Sequence, residues 1–195
     1  MKVSYSYLPR QFSNPDAILG KIRELVIRGD FTLGLTLEKF ENEFAEFIGS
    51  KYAIGVGSGT DALFLSLKAL GIGDAEGYRK DEVITTANTF VATVGSIETA
   101  GAVTRFVDCN DRYVMDVDKV EAAITENTKA IMPVHYSGQP VEMDKLLKIA
   151  QKYNLHIVED SCCAIDAEVN GKRCGTIGIT GAFSLHPQKN LNVWS

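Results

Sequence analysis

Between Tyr52 and Phe183, short apolar runs alternate with stretches of helical periodicity, and this alternation restricts the fold more than any other feature of the chain. The runs are Ala53-Ile54-Gly55-Val56, Val83-Ile84-Thr85-Thr86, Val103-Thr104-Arg105-Phe106-Val107, Ala130-Ile131-Met132-Pro133-Val134-His135, His156-Ile157-Val158 and Gly181-Ala182-Phe183. Between them lie a helix through Leu63, Leu67 and Leu70, one from Val91 to about Ala100, and one from Met115 to Ile124. A fourth is marked by Met143, Leu146, Leu147 and Ala150, with Asn154 as its stop. Strand–helix–strand units need right-handed crossovers. The expectation is therefore an α/β fold, a mostly parallel sheet covered by helices on both faces.

Residues 1–50 read as a peripheral helical segment and 51–195 as the α/β domain. Ile18, Ile22, Leu25 and Val26 share one helical face, with Asn14 read as the N-cap, Pro15 as the first helical residue and Gly29 as the stop. A second helix carries Phe40, Phe44, Phe47 and Ile48 on one side, a stripe that reads as core packing. Between the two helices lies the glycine-flanked loop Gly29-Asp30-Phe31-Thr32-Leu33-Gly34, and the polar segment Gly73–Lys80 reads as an exposed loop.

A formal net charge of −5 argues against nucleic acid or an anionic membrane as partner. No apolar run approaches the roughly 20 residues that span a bilayer, and Met1-Lys2-Val3-Ser4-Tyr5 lacks the apolar core of a signal peptide. Cys109, Cys162, Cys163 and Cys174 show no C-x-x-C spacing, so buried free thiols in a reducing cytoplasm are expected.

Four places could carry chemistry, each just beyond a strand. Lys189 follows Ser184-Leu185-His186-Pro187-Gln188, where Pro187 should end a core strand. A partly desolvated lysine there can attack an aldehyde, although a solvated loop lysine is the commoner case. Gly57-Ser58-Gly59-Thr60 joins a run to a helix, and its small residues suit either an anion at the helix start or an ordinary tight turn. Asp160 ends an apolar strand, where a carboxylate needs a cation or hydrogen bonds, unless it simply opens the next turn. Strand alternation sends Glu159 to the opposite face. Thr89-Phe90 opens a helix, and Phe90 is either a wall for a planar ligand or part of the core. Pyridoxal 5′-phosphate asks for all four groups: an anion cradle, an aromatic wall, a carboxylate for its ring nitrogen and a lysine for its aldehyde.

In these motifs the chain resembles the sugar aminotransferases of the DegT/DnrJ/EryC1/StrS family. The matching pieces are residues 29–34, Gly-Ser-Gly-Thr-Asp-Ala-Leu (57–63), Thr-Phe-Val-Ala-Thr (89–93), Pro-Val-His-Tyr-Ser-Gly-Gln-Pro (133–140), Glu-Asp-Ser (159–161) and Ser-Leu-His-Pro-Gln-Lys-Asn-Leu (184–191). The resemblance implies the large domain of the fold type I transferases. It implies Lys189 as the Schiff-base lysine and proton shuttle, Asp160 as the pyridinium partner and Phe90 as the stacking ring. Ser184, Gly59 and Thr60 become phosphate contacts, and Cys163 stands near the ring hydroxyl. Phe31 and Thr32 are expected to line the sugar pocket. The implied substrates are a keto sugar and an amino acid donor, L-glutamate, and the implied assembly is a cytoplasmic homodimer with shared active sites. The sugar would be a nucleotide-linked keto hexose or, by the resemblance of the Asn190–Trp194 tail, an eight-carbon keto sugar acid.

The chain departs from the family at three points. Cys163 stands where glutamine is usual, and the Gly73–Lys80 loop is longer than usual. The antiparallel strand and small C-terminal domain that follow in the family lie beyond Ser195, so the 195-residue chain alone is expected to be incomplete and inactive, with a gap in its sheet. The alternative reading is a truncated or non-catalytic relative that binds pyridoxal phosphate in a regulatory role. A nicotinamide enzyme is disfavoured because the G-x-G-x-x-G fingerprint is missing.

Overall fold

The structure, a computed structural model, describes residues 7–73 and 80–193. The interior of the loop expected at Gly73–Lys80 lies outside the described residues, as does Trp194.

Five parallel strands form the central sheet: β1 (Glu82–Thr86), β2 (Val103–Val107), β3 (Thr128–Ile131), β4 (His156–Asp160) and, after the two strands of a small hairpin, β7 (Thr180–Ala182). Their spatial order is β2-β1-β3-β4-β7. The hairpin pairs β5 (Glu168–Val169) with β6 (Lys172–Arg173) through Asn170 and Gly171, both at positive φ, as a two-residue antiparallel turn demands.

The helices are α1 (Leu8–Gln11), α2 (Asp16–Arg28), α3 (Leu35–Ile48), α4 (Gly59–Ala69), α5 (Val91–Ala100), α6 (Val117–Ala123) and α7 (Met143–Tyr153). Two apolar layers clamp the sheet. On one face Leu63 and Leu67 of α4 and Ile97 of α5 close on Val83, Ala130, Val158 and Ala182. On the other, Val117 and Val120 of α6 and Met143, Leu146 and Ile149 of α7 close on Ile84, Ile131 and Ile157. Successive residues of β1, β3 and β4 thus feed opposite layers, which is the pleat at work, and the α/β expectation holds.

Several local expectations are corrected. Pro15, not Asn14, occupies the N-cap of α2, and no side chain caps that helix. The apolar face of α2 stays largely open among the described residues: Ile18, Ile22 and Val26 are exposed and Leu25 is half-buried. Of the phenylalanine stripe, Phe44 and Ile48 are buried, with Phe44 edge-on to Phe183 at 5.3 Å, whereas Phe40 and Phe47 remain half-exposed. Phe47 instead receives the Arg173 guanidinium over its ring at 4.8 Å. The third crossover helix begins at Val117 rather than Met115, because the Asp116 side chain accepts from the Asp118 amide and sets the start. Ala53–Val56 forms no strand; Ile54 is exposed and no described strand lies alongside to pair with it. The last strand stops at Ala182, well before Pro187.

Candidate active site

Because the strands are parallel, their carboxyl ends share one edge, and the segments leaving them meet there. They line a broad cleft of about 1950 Å³ that includes Gly59, Thr60, Phe90, Asp160, Cys163, Ser184 and Lys189. Seven of the nine site residues expected from the sequence therefore share one cavity. Phe31 and Thr32 do not join them. They stay exposed in the turn between α2 and α3, which Asp30 closes by accepting from the Thr36 amide at 3.0 Å.

At the end of β4, neighbouring carboxylates do different work. Glu159 is fully buried and accepts from the amides of Gly175 (2.9 Å), Ile177 (2.7 Å) and Gly178 (2.6 Å). His135 Nε2 lies 3.0 Å from it. The Val141 amide donates to His135 Nδ1 at 3.2 Å, so the ring proton sits on Nε2 and points at Glu159. Burial alone would raise the Glu159 pKa, but these hydrogen bonds, led by that from His135, outweigh it and hold the carboxyl below its ordinary value. Glu159 thereby pins the loop that leads into β7.

Asp160 faces the other way, into the cleft. Its Oδ2 accepts from the Thr93 hydroxyl at 2.6 Å and its Oδ1 from the Cys162 amide at 3.2 Å. The carboxylate is 5% exposed, and among the described residues no cation pairs with it. A buried anion held by two donors and open on one side is suited to a cationic ring nitrogen. Thr93 was not singled out by the sequence. Its spacing of four from Thr89, on one helical face, was the available signal, and the two hydroxyls meet at 2.6 Å.

The anion cradle expected from the sequence falls at the start of α4. Ser58 caps it, its Oγ accepting from the Asp61 amide at 3.1 Å, which leaves the Gly59 and Thr60 amides without intrahelical acceptors. A Cβ at Gly59 would come within 2.8 Å of Cys162 Sγ and 3.1 Å of Ser184 Cβ, so only glycine lets the helix start approach the Ser184 loop. Phe90 is 71% exposed on the cleft wall, not in the core. The cleft also holds Lys189, whose Nζ donates to Cys163 Sγ at 3.0 Å. Asp160 and Lys189 both act on the Cys162 thiol: burial first, then Asp160, raise its pKa far above the ordinary value, and Lys189 opposes them. Asp160, Cys162 and Lys189 all line the same cleft.

The four cysteines are unpaired, as expected, but Cys163 is exposed and only Cys174 is buried, its thiol pushed up to about 12 by burial. Among the described residues no group of His, Cys, Asp and Glu could hold a metal ion, and no helix is long and apolar enough to cross a membrane.

These residues fit pyridoxal phosphate: an uncompensated buried carboxylate, an anion cradle that a Cβ would fill, an exposed aromatic and an amine open on one cleft. Residues 14–194 match the model of the DegT/DnrJ/EryC1/StrS aminotransferase family. A UDP-N-acetyl-3-dehydro-alpha-D-glucosamine 3-aminotransferase of Acidithiobacillus ferrooxidans is 43% identical over 91% of this chain and 47% of its own. The crystal structure of S. venezuelae DesV in complex with a ketimine intermediate superposes with a TM-score of 0.89, at 38% identity, covering 96% of this chain and 50% of that one. NtdA from Bacillus subtilis, solved with bound cofactor PMP, gives a TM-score of 0.89 at 36% identity over 100% of this chain and 43% of that one. The chain spans about half the length of the curated relatives it matches.

Proposed function

The chain belongs to the DegT/DnrJ/EryC1/StrS aminotransferase family, whose cofactor is pyridoxal phosphate, and from that premise we propose that it serves the transfer of an amino group from L-glutamate to a keto sugar. The sugar we propose is a nucleotide-linked keto hexose or a keto sugar acid. The observation that carries the reading is the shared cleft of Lys189 and Asp160, with the Gly59–Thr60–Ser184 cradle beside them. When bound, the cofactor supplies the electron sink for the carbanion formed at the donor's Cα.

Each residue then has a task. Ser184 and the first amides of α4 hold the phosphoryl group. Phe90 packs against the flat ring. Asp160 keeps a proton on the ring nitrogen, and Thr93 holds Asp160 in line. The Lys189 amine takes the proton from the donor Cα and returns it on the far side of the transfer. A lysine at position 189 supplies the amine that transamination needs.

Phe31 and Thr32, exposed and outside the lining of this cleft within one chain, fit a role in the cleft of a second copy, in line with a homodimer with shared sites. Four unpaired thiols favour the cytoplasm as its setting. The decisive experiment is Lys189→Ala in the full-length enzyme. Glutamate-dependent amination of the sugar should fall by about 10³-fold, the weight of a general acid–base group, and borohydride should no longer fix a pyridoxyl group to the chain. Undiminished turnover would overturn the reading.

A further inference from the structure

Cys163 and Lys189 come from different loops, one after β4 and one after β7, yet they stand in contact, Nζ to Sγ at 3.0 Å. Cys163 is the one exposed cysteine of the four. Its sequence neighbour Cys162 differs in every relevant respect. It is partly buried, its thiol lies 3.8 Å from the Ala182 carbonyl, and burial followed by Asp160 keeps it protonated. Of two adjacent thiols, therefore, one is open to a small oxidant and has an amine against its sulfur.

We propose that Cys163 and Lys189 form an oxidative modification site, in which a peroxide links the two side chains through a sulfur–nitrogen bond. In the first step the Cys163 sulfur gives two electrons to hydrogen peroxide; the O–O bond breaks, one water leaves and a sulfenic acid remains. In the second, the Lys189 nitrogen lone pair attacks that sulfur. The S–O bond breaks, and the hydroxyl leaves as a second water with a proton from the amine. One thiol, one amine and one peroxide thus give one S–N link and two waters. A dithiol reductant returns both side chains and is itself oxidised to the disulfide. The link needs no cofactor. It does consume the amine that the proposed transaminase uses, so modification and cofactor loading exclude each other.

Peptide mapping by mass spectrometry tests this on the cofactor-free protein after hydrogen peroxide treatment. The expected product joins the Cys163 and Lys189 peptides, lighter than their sum by two hydrogens; dithiothreitol reverses it and Cys163→Ser abolishes it. Two outcomes overturn the proposal. One is Cys163 recovered as sulfinic acid with the Lys189 peptide free. The other is a Cys162–Cys163 disulfide, again with Lys189 free. A second arm loads pyridoxal phosphate before the peroxide, and the link should then be lost. A link that forms equally in the loaded protein would leave the modification site standing and refute Lys189 as the lysine that holds the cofactor.

Discussion

Thr93 and Asp160, 67 residues apart, are joined by a hydrogen bond of 2.6 Å. An ionised carboxylate only accepts, so Thr93 donates, and the Thr93 oxygen is left to accept from Thr89 at 2.6 Å. The direction of both protons is thus fixed by the charge on Asp160.

Thr93→Val keeps the side-chain shape and removes the donor. The cost of an Asp160 oxygen left unsatisfied is about 2 kcal/mol. Part of it should appear as lower stability in urea and part as weaker retention of pyridoxal phosphate, by roughly tenfold. Thr93→Ser should restore both. Unchanged retention in the valine variant would reduce Thr93 to a packing residue.

Glu159→Gln places an amide where four donors converge. The loss at pH 7 should be about 3 kcal/mol, as for breaking a buried charge-assisted network. The pH dependence has a definite sign. The folded-state pKa of Glu159 lies below its ordinary value, so its stabilisation is complete above the unfolded value of about 4.3 and disappears as pH falls through the folded value. Denaturation curves of native protein and variant should diverge at neutral pH and converge in acid.

Gly59→Ala sets a methyl 2.8 Å from Cys162 Sγ and 3.1 Å from Ser184 Cβ. The helix start must back away from the Ser184 loop. Affinity for pyridoxal 5′-phosphate should drop about tenfold, while affinity for pyridoxal, which has no phosphoryl group, should hardly change. Equal losses for both ligands would remove the phosphate from this place.

Leu63 is fully buried on α4, in the apolar layer between that helix, α5, β4 and β7. Leu63→Ala should cost about 3 kcal/mol in chemical denaturation through the cavity it leaves. It serves as a stability reference for Gly59→Ala, since a purely structural loss should leave the preference for phosphorylated over unphosphorylated ligand intact.

The sheet was legible because β1, β2 and β4 carry β-branched runs and the two faces of the sheet both meet helices, so hydrophobicity marked most of it. Ala53–Val56 looked the same and failed, since a strand also needs a neighbour for its backbone, which no local pattern reveals. Most of the cleft residues could be named because each follows a strand; Gly59 and Thr60 instead follow Ala53–Val56, which forms none. Their supports could not: His135 acts on Glu159 from 24 residues away, and Thr93 on Asp160 from 67. Such partnerships depend on crossover geometry, not on spacing. Phe31 and Thr32 rested on resemblance alone, and within one chain nothing draws them to the cleft.

The outer rim of β7 has a colloidal consequence. Among the described residues this three-residue strand is paired on one side only, and Ile179 is exposed just before it. Backbone groups displayed beside an apolar side chain invite any extended segment that drifts past. At the millimolar concentrations of spectroscopy, clarity of the solution will be governed by this rim rather than by the overall negative charge, and Ile179→Lys should keep it clear.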